Sequence, residues 1–527
     1  MMNAALLALG IIASAGSPVS AGPVDRDERP RDAYLAPAWP EQTSVPAWVG
    51  GDGPLVRFGP RGPGGPPVSV QVNVGTNGLN TLGDAGNEPS LAVDPVDPRR
   101  MAAGWRQFDN VASNFRQAGR AFSTDGGRTW TRGATLDPGV FRSDPVLRAD
   151  TAGRFYYLSL KVTNVFQCEI FRSLNGGATF PTIFEAIGGD KAWLAIDENR
   201  GAPSYGFLHQ IWSNSYSRSR DHGATWETPV GGNPVFCTTA VGPDSVLYAA
   251  GSANNSSVGP IVFAKSLNAG NPGAAPSFTP QTPVPLDGEQ LFGQGFSSPN
   301  PDGLIGQISV DVDRTSGPRR GWVYVLGSVG PRTIGAVTDP ADVMFVRSRD
   351  GGTTWEGLTR VNDSPPTVND WQWFGALAVA PNGRLDAVWL DTRASQLPNL
   401  SRAYYSSSSD GGTTWTANTL ISPEFNSHIG FPNQNKIGDY LDIHSDERGT
   451  DVLYAATFNG EEDVWFVRVG PRICPADVNR SGVVNVQDIF DFLSLWFAQD
   501  PRAEFNRDFA LNVQDIFDFL AAWFGPC

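Results

Sequence analysis

Two nearly identical nonapeptides close this chain, Asn485-Val-Gln-Asp-Ile-Phe-Asp-Phe-Leu493 and Asn512-Val-Gln-Asp-Ile-Phe-Asp-Phe-Leu520, each after a run of oxygen-bearing side chains. Ahead of the first stands Asp477-Val-Asn-Arg-Ser-Gly482. Counting from Asp477, positions 1, 3, 5, 9 and 12 are Asp477, Asn479, Ser481, Asn485 and Asp488, with Gly482 at position 6 and the Val483 carbonyl at position 7. Hard oxygen ligands at that spacing, around a glycine that permits the sharp turn, suit Ca²⁺. The second set, Glu504, Asn506, Asp508, Asn512 and Asp515, keeps its oxygens. Phe509 replaces its glycine and Glu replaces Asp at its first position, so weaker binding is expected there. After the first loop, Ile489, Phe492, Leu493 and Trp496 fall on one helical face. The alternative is a helical hairpin whose acids are only solvated.

A second group of reactive side chains lies upstream, at the starts of β-type segments: Asn87-Glu-Pro-Ser90, Ser143-Asp-Pro145, Asp190-Lys-Ala-Trp193, Trp371-Gln-Trp-Phe374 and Gly438-Asp-Tyr440. Acids with aromatics suit a sugar-binding mouth, and the same residues also serve as ordinary turn and packing groups. Tyr440, Asp439, Glu88 and Asp144 are the candidate catalytic residues. Asp190, Lys191, Trp193, Trp371, Trp373 and Arg393 are the candidate ligand-binding ones. His209, His222, His428 and His444 are scattered without metal spacing. No phosphate loop, nucleophile elbow or Ser/His/Asp order is present.

What must position these groups is a repeat. The pattern S-x-[DN]-x-G-x-T-[WF] occurs at Ser123–Trp130, Ser173–Phe180, Ser219–Trp226, Ser348–Trp355 and Ser408–Trp415, with a degraded copy from Ser266. Asp or Asn caps N–H groups in such a turn, Gly takes the positive φ, and the closing aromatic packs between sheets. Each unit opens with a strand such as Leu91-Ala-Val-Asp94 and continues with others such as Val323-Tyr-Val-Leu326 and Val343-Met-Phe-Val-Arg-Ser348. Units begin near Asn87, Asp144, Asp190, Asn233, Gln307, Trp373 and Lys436, which predicts an all-β ring of seven blades, with six as the alternative. The last unit lacks a box, and Val68–Val74 is expected to supply its outer strand and close the ring.

These boxes resemble the Asp-boxes of the sialidase-superfamily β-propellers, over about residues 68–470. The tail resembles a dockerin, the duplicated calcium-loop–helix module, over residues 474–527. The first resemblance implies a sialidase site: three arginines on a substrate carboxylate, a Tyr nucleophile paired with Glu, and an Asp acid/base. The family's first arginine lies in an Arg-Ile-Pro motif. Asn87-Glu-Pro89 stands in that place here, so that arginine is missing. Arg116, Arg142 and Arg393 are candidate substitutes, with Tyr440 beside Asp439 as the nucleophile-like pair. The second resemblance implies a cohesin-like scaffold partner, contacted through Val486-Gln487 and Val513-Gln514.

With 59 Gly and 42 Pro, the 527 residues favour many short strands and turns. A formal charge of −15 argues against nucleic acid and anionic membrane surfaces. Residues 1–21 read as a signal peptide, with apolar Ala4–Ala13 before Val19-Ser-Ala21, although no basic residue precedes Arg26. Residues 22–67 read as a Pro/Gly-rich disordered lead-in. No later segment is long enough to span a bilayer, so a secreted or cell-surface protein is expected. Four cysteines allow three pairings. Cys474–Cys527 would clasp the tail, leaving Cys168 with Cys237. Two functions remain in view: a glycan- or protein-binding propeller displayed through its calcium tail, and an exported glycoside hydrolase of the sialidase-like class.

Overall fold

Runs of Val, Leu, Tyr and Ala, punctuated by glycines that accept positive φ, fold into antiparallel meanders wrapped around an axis. The computed structural model describes residues 51–52, 57–58, 67–162, 165–254, 258–330, 339–470, 474, 476–479, 481, 483–500, 503, 505 and 511–525. The innermost strands are Ala85–Val93, Arg142–Ala149, Trp193–Ile196, Val235–Val241, Ser309–Val312, Gln372–Val379 and Asp442–Ser445. Each packs against the next, and the last against the first. The result is a β-propeller. The strand Ser69–Gln71 pairs with Asp463–Val469, setting Val70 opposite Phe466 and Gln71 opposite Trp465. First and last segments of the ring are thereby joined, which removes an open sheet edge.

Three features depart from the sequence reading. Within the expected lead-in, Gly51–Asp52 pairs with Thr81–Leu82 and Arg57–Phe58 pairs with the segment beginning at Ser69. The segment that follows the degraded box carries Glu289–Leu291, which bridges Val258–Ser266 to Val323–Gly330 and ties two neighbouring meanders into one sheet. Cys168 and Cys237 are free, buried thiols, so the expected bridge between them is corrected. Cys168 Sγ donates to the Gly189 carbonyl at 3.6 Å and Cys237 Sγ to the Pro234 carbonyl at 3.1 Å. Cys474 is disulfide-bonded, and Cys527 lies outside the described residues. The signal-peptide segment lies outside them too.

The boxes are staples between meanders. In the first, Ser123 Oγ accepts from Gly127 N at 2.9 Å while Asp125 accepts from Thr129 N and Thr129 Oγ1 at 3.0 and 2.6 Å. The closing aromatic crosses to the preceding meander. Trp130 meets Phe466 edge-on at 5.5 Å, Trp355 meets Phe263 at 5.3 Å, and Trp415 meets Phe345 at 5.2 Å. The glycine beneath is obligatory at Gly412, where φ is +83° and a Cβ would stand 2.2 Å from Phe345.

Beyond the ring, Val486–Phe497 and Val513–Phe524 form two helices with matching capping boxes, Asn485 with Asp488 and Asn512 with Asp515. Phe492 and Phe519 stack at 4.2 Å between them, with Ile489, Leu493 and Trp496 packed around. Trp496 donates to the Asn512 carbonyl and Trp523 to that of Asn485, both at 3.1 Å, so each helix locks the start of the other. Among the described residues no helix is long and apolar enough to cross a membrane.

Candidate functional site

At the upper rim of the ring one backbone feature recurs. Glu88, Asp144, Lys191, Phe236 and Phe374 all have φ between +47° and +56°, and Gly306 and Gly438 have +145° and +100°. Each stands where the chain turns into an innermost strand. Register shifts between Asn87 and Ser90, Val235 and Thr238, and Trp373 and Ala376 mark the bulges that follow. Left-handed backbone in non-glycine residues is costly, and it persists only where the surroundings fix it. Here it aims successive side chains at the axis.

The charged ones meet there. Lys191 Nζ lies 2.5 Å from Asp439 Oδ2, and Lys436 Nζ lies 2.8 Å from the same oxygen and 3.7 Å from Glu88. Arg106 Nε lies 3.1 Å from Glu88 and donates to Asn87 Oδ1 at 2.7 Å. Asp144 accepts from the Lys191 N–H at 3.0 Å. The Leu304 N–H fixes the other Asp439 oxygen at 2.9 Å, and Asn300 braces the Gly438 carbonyl at 2.8 Å. All six charged groups are buried. Burial raises Glu88 to about 7, against the pull of Arg106. Burial works the same way on Asp439, but Lys191 and Lys436 outweigh it and hold that carboxyl well below the usual range. Asp144 falls to about 2, because Lys191, Ser143 and Arg106 overcome its desolvation. Glu462 is pushed well above its ordinary value, chiefly by burial.

The sequence left the rim acids between two readings, a sugar-binding mouth and ordinary turn and packing groups. Glu88, Asp144, Lys191 and Asp439 do come together, but as an enclosed ion cluster. Tyr440 is buried, donates its hydroxyl to the Pro145 carbonyl at 2.9 Å, and packs edge-on against Trp193 at 5.4 Å. Burial, with Glu88 and Asp144 nearby, raises its pKa well above the ordinary tyrosine value, the reverse of an activated nucleophile. Trp371 and Trp373 are core residues, and Trp373 Nε1 donates to Ser401 Oγ at 3.0 Å. Arg393 is occupied by Asp391 and Asp363 and lies over Tyr404. Arg116 donates to Ser143 Oγ and sits over Phe141, and Arg142 pairs with Asp137 and Glu169. Asp190 is partly buried and accepts from Ser213 through its main-chain carbonyl. The candidate arginines thus hold other partners, and no carboxylate-binding trio forms from them.

Below the cluster the axis opens into a cavity of about 640 Å³. Tyr440, Trp193 and Phe374 line its upper end, and Asp94, Pro381 and Arg448 its lower one. Arg148 lies over the Trp193 ring at 5.4 Å and 3.1 Å from Asp442, whose carboxylate also takes Ser90 Oγ at 2.7 Å. Sequence reasoning missed Arg106, Lys436, Arg148 and Asp442. Two of them left a signal: Arg106 stands directly opposite Asn87 in the first hairpin, and Lys436 lies three residues before Asp439.

In the tail, among the described residues, no group of three or more His, Cys, Asp and Glu side chains forms a metal site. The loop that starts at Asp477 uses other oxygens. Asp477 Oδ1 and Asn479 Oδ1 both accept from the Ser481 N–H, at 2.8 and 3.0 Å, and Ser481 Oγ donates to the Val483 carbonyl at 3.1 Å. Asp488, fully buried, accepts from Asn479 N at 3.3 Å and Asn485 N at 2.8 Å. Two carboxylates, an amide oxygen, a hydroxyl and a carbonyl are thereby gathered in one turn, a donor set that fits Ca²⁺. In the second loop, Asp515 accepts from Phe505 N and Asn512 N, while Glu504, Asn506 and Asp508 lie outside the described residues.

No family model and no curated protein matches the chain. Among solved structures it is similar to the BP39L lectin from Burkholderia pseudomallei, at 13% identity over 73% of this chain and 97% of that one, with a TM-score of 0.44. It is similar to the intramolecular trans-sialidase from Ruminococcus gnavus at 11% identity, over 67% and 95%, with a TM-score of 0.39. For the alpha-L-arabinanase from Penicillium chrysogenum the values are 12%, 73%, 93% and 0.37. Likenesses of this size carry no argument about ligand or chemistry.

Proposed function

We propose that this chain is an exported, seven-bladed, sialidase-like propeller that binds a glycan or protein ligand in its axial cavity. Residues 474–527 serve as a dockerin-like calcium module that attaches it to a cohesin-like scaffold domain. The observation that carries the binding reading is the locked Tyr440: buried, bonded to a main-chain carbonyl and raised in pKa. That tyrosine does not supply the nucleophile of the sialidase scheme. The cavity below it has the size of a small-ligand site, with an aromatic wall at Trp193 and polar groups in Arg148 and Asp442. The calcium role rests on the all-oxygen turn at Asp477–Asp488. When bound, Ca²⁺ neutralises the two carboxylates and stiffens the loop against the first helix. Glycan-array binding of the whole chain, run beside a hydrolase panel, is the test. Binding without turnover is expected, and turnover of sialosides with Tyr440 essential overturns it.

One observation favours a second reading, an exported glycoside hydrolase. Glu88 is raised to about 7 while neighbouring Asp439 is held ionised, and carboxylates driven apart in this way serve as acid and base in many hydrolases. Turnover of any glycan that is lost in both Glu88→Gln and Asp439→Asn, with folding intact, would establish it.

A further inference from the structure

One oxygen of the first acid in loop one is already held by the ring. Asp477 Oδ1 is committed to Ser481 N–H inside the loop, and Asp477 Oδ2 receives the Arg448 guanidinium at 2.6 Å. Arg448 belongs to the turn after the innermost strand Asp442–Ser445, where its N–H bonds Asp446, and it lines the lower end of the axial cavity. A second arginine on the same face, Arg99, lies over the Phe505 ring at 5.6 Å. The Asp477 side chain is 2% exposed and that of Arg448 21%, so the pair is largely shielded from solvent.

We propose that the lower face of the propeller is a docking surface for the tail, and that Ca²⁺ competes with Arg448 for Asp477. Without calcium the guanidinium neutralises the first loop position and holds the tail against the propeller's lower face. A divalent ion and a guanidinium on one carboxylate repel at close range, so each weakens the binding of the other. Calcium binding therefore weakens the Arg448 contact and undocks the tail from that face. This rests on the calcium reading of loop one and goes beyond it, because the competing residue lies in the ring.

The test titrates Ca²⁺ calorimetrically into the whole chain, wild type beside Arg448→Ala, with small-angle X-ray scattering of both in chelator and in saturating calcium. Arg448→Ala is expected to bind calcium about fivefold more tightly, the scale of one partly solvated ion pair. In chelator it should already have the larger dimensions that wild type reaches only with calcium. Arg448→Lys, which keeps the charge, should stay near wild type, and a Lys variant as tight as Ala refutes charge as the cause. Equal affinities of wild type and Arg448→Ala overturn the competition, as does a wild type whose dimensions ignore calcium. No calcium heat in either chain overturns the calcium-loop reading itself.

Discussion

Acid-and-glycine turns occur in both halves of this chain, and they treat their carboxylates in opposite ways. In the box Ser408–Trp415, Asp410 Oδ1 accepts from Ser408 Oγ, Thr413 N and Thr414 N, and Oδ2 accepts from Thr414 Oγ1 at 2.7 Å. The turn consumes its own acid. Desolvation works to raise that carboxyl, yet these bonds hold it at about 2. At Asp477 one oxygen serves the loop and the other meets a cation from elsewhere in the chain. Similar residue types therefore yield a staple in one place and a proposed ion site in the other. The difference lies in where each oxygen's partner comes from.

The largest expected effect separates the two kinds of turn. Asp488→Ala removes a buried carboxylate that caps a helix and holds Asn479, at a cost of about 3–5 kcal/mol to the tail. Calorimetric unfolding should lose the tail's transition, and calcium should no longer shift it. Next, Gly412→Ala forces a side chain onto φ +83° and into Phe345, at a cost of about 3 kcal/mol, felt in the ring. Its melting temperature should fall while its calcium response stays that of wild type.

Rim acids are a third case, neither self-satisfied nor reserved for an added ion. Glu88 has an ordinary value of 4.5 and a folded value of about 7, so the folded state binds its proton more tightly. Its contribution to stability is complete below pH 4.5 and is lost as pH rises through about 7. Glu88→Gln keeps the neutral form, and should hold about 3 kcal/mol more stability than wild type at pH 8 with little difference at pH 4. Denaturant unfolding at both pH values checks this, and parallel curves would contradict it. The smallest effect belongs to a single staple: Asp410→Ala should cost about 1 kcal/mol, leave calcium binding unchanged, and be visible only as a modest drop in denaturant midpoint.

The strand pattern was legible because it is local. Alternation in Val343–Ser348, box turns with fixed capping geometry and the strand-forming Val68–Val74 each carry their signal within a few residues. Closure by pairing Val70 with Phe466 followed from the missing last box, a long-range inference from a local gap. The rim was legible only in composition. Glu88, Asp144, Lys191 and Asp439 do share a site, but burial inverted its meaning, because loop 292–304 brings Asn300 and the Leu304 N–H over Asp439. No periodicity announces that contact. Arg106 faces Glu88 across one hairpin and Lys436 precedes Asp439 by three residues, so both signals were local; the pair Lys191–Asp439, across the axis, joins distant positions. The Arg448–Asp477 pair was hidden because it joins a turn of the ring to the tail, two units with separate sequence signals.

The central claim is that acids in the ring are structural while those at Asp477–Asp488 bind a metal ion. Calcium titration of three whole-chain proteins tests it most directly: wild type, Asp477→Ala with Asp488→Ala, and Asp125→Asn with Asp350→Asn and Asp410→Asn. The account predicts that wild type and the triple box variant give the same calcium heat, and that the loop variant loses the stronger phase. Loss of that phase in the box variant, or its survival in the loop variant, would contradict the account.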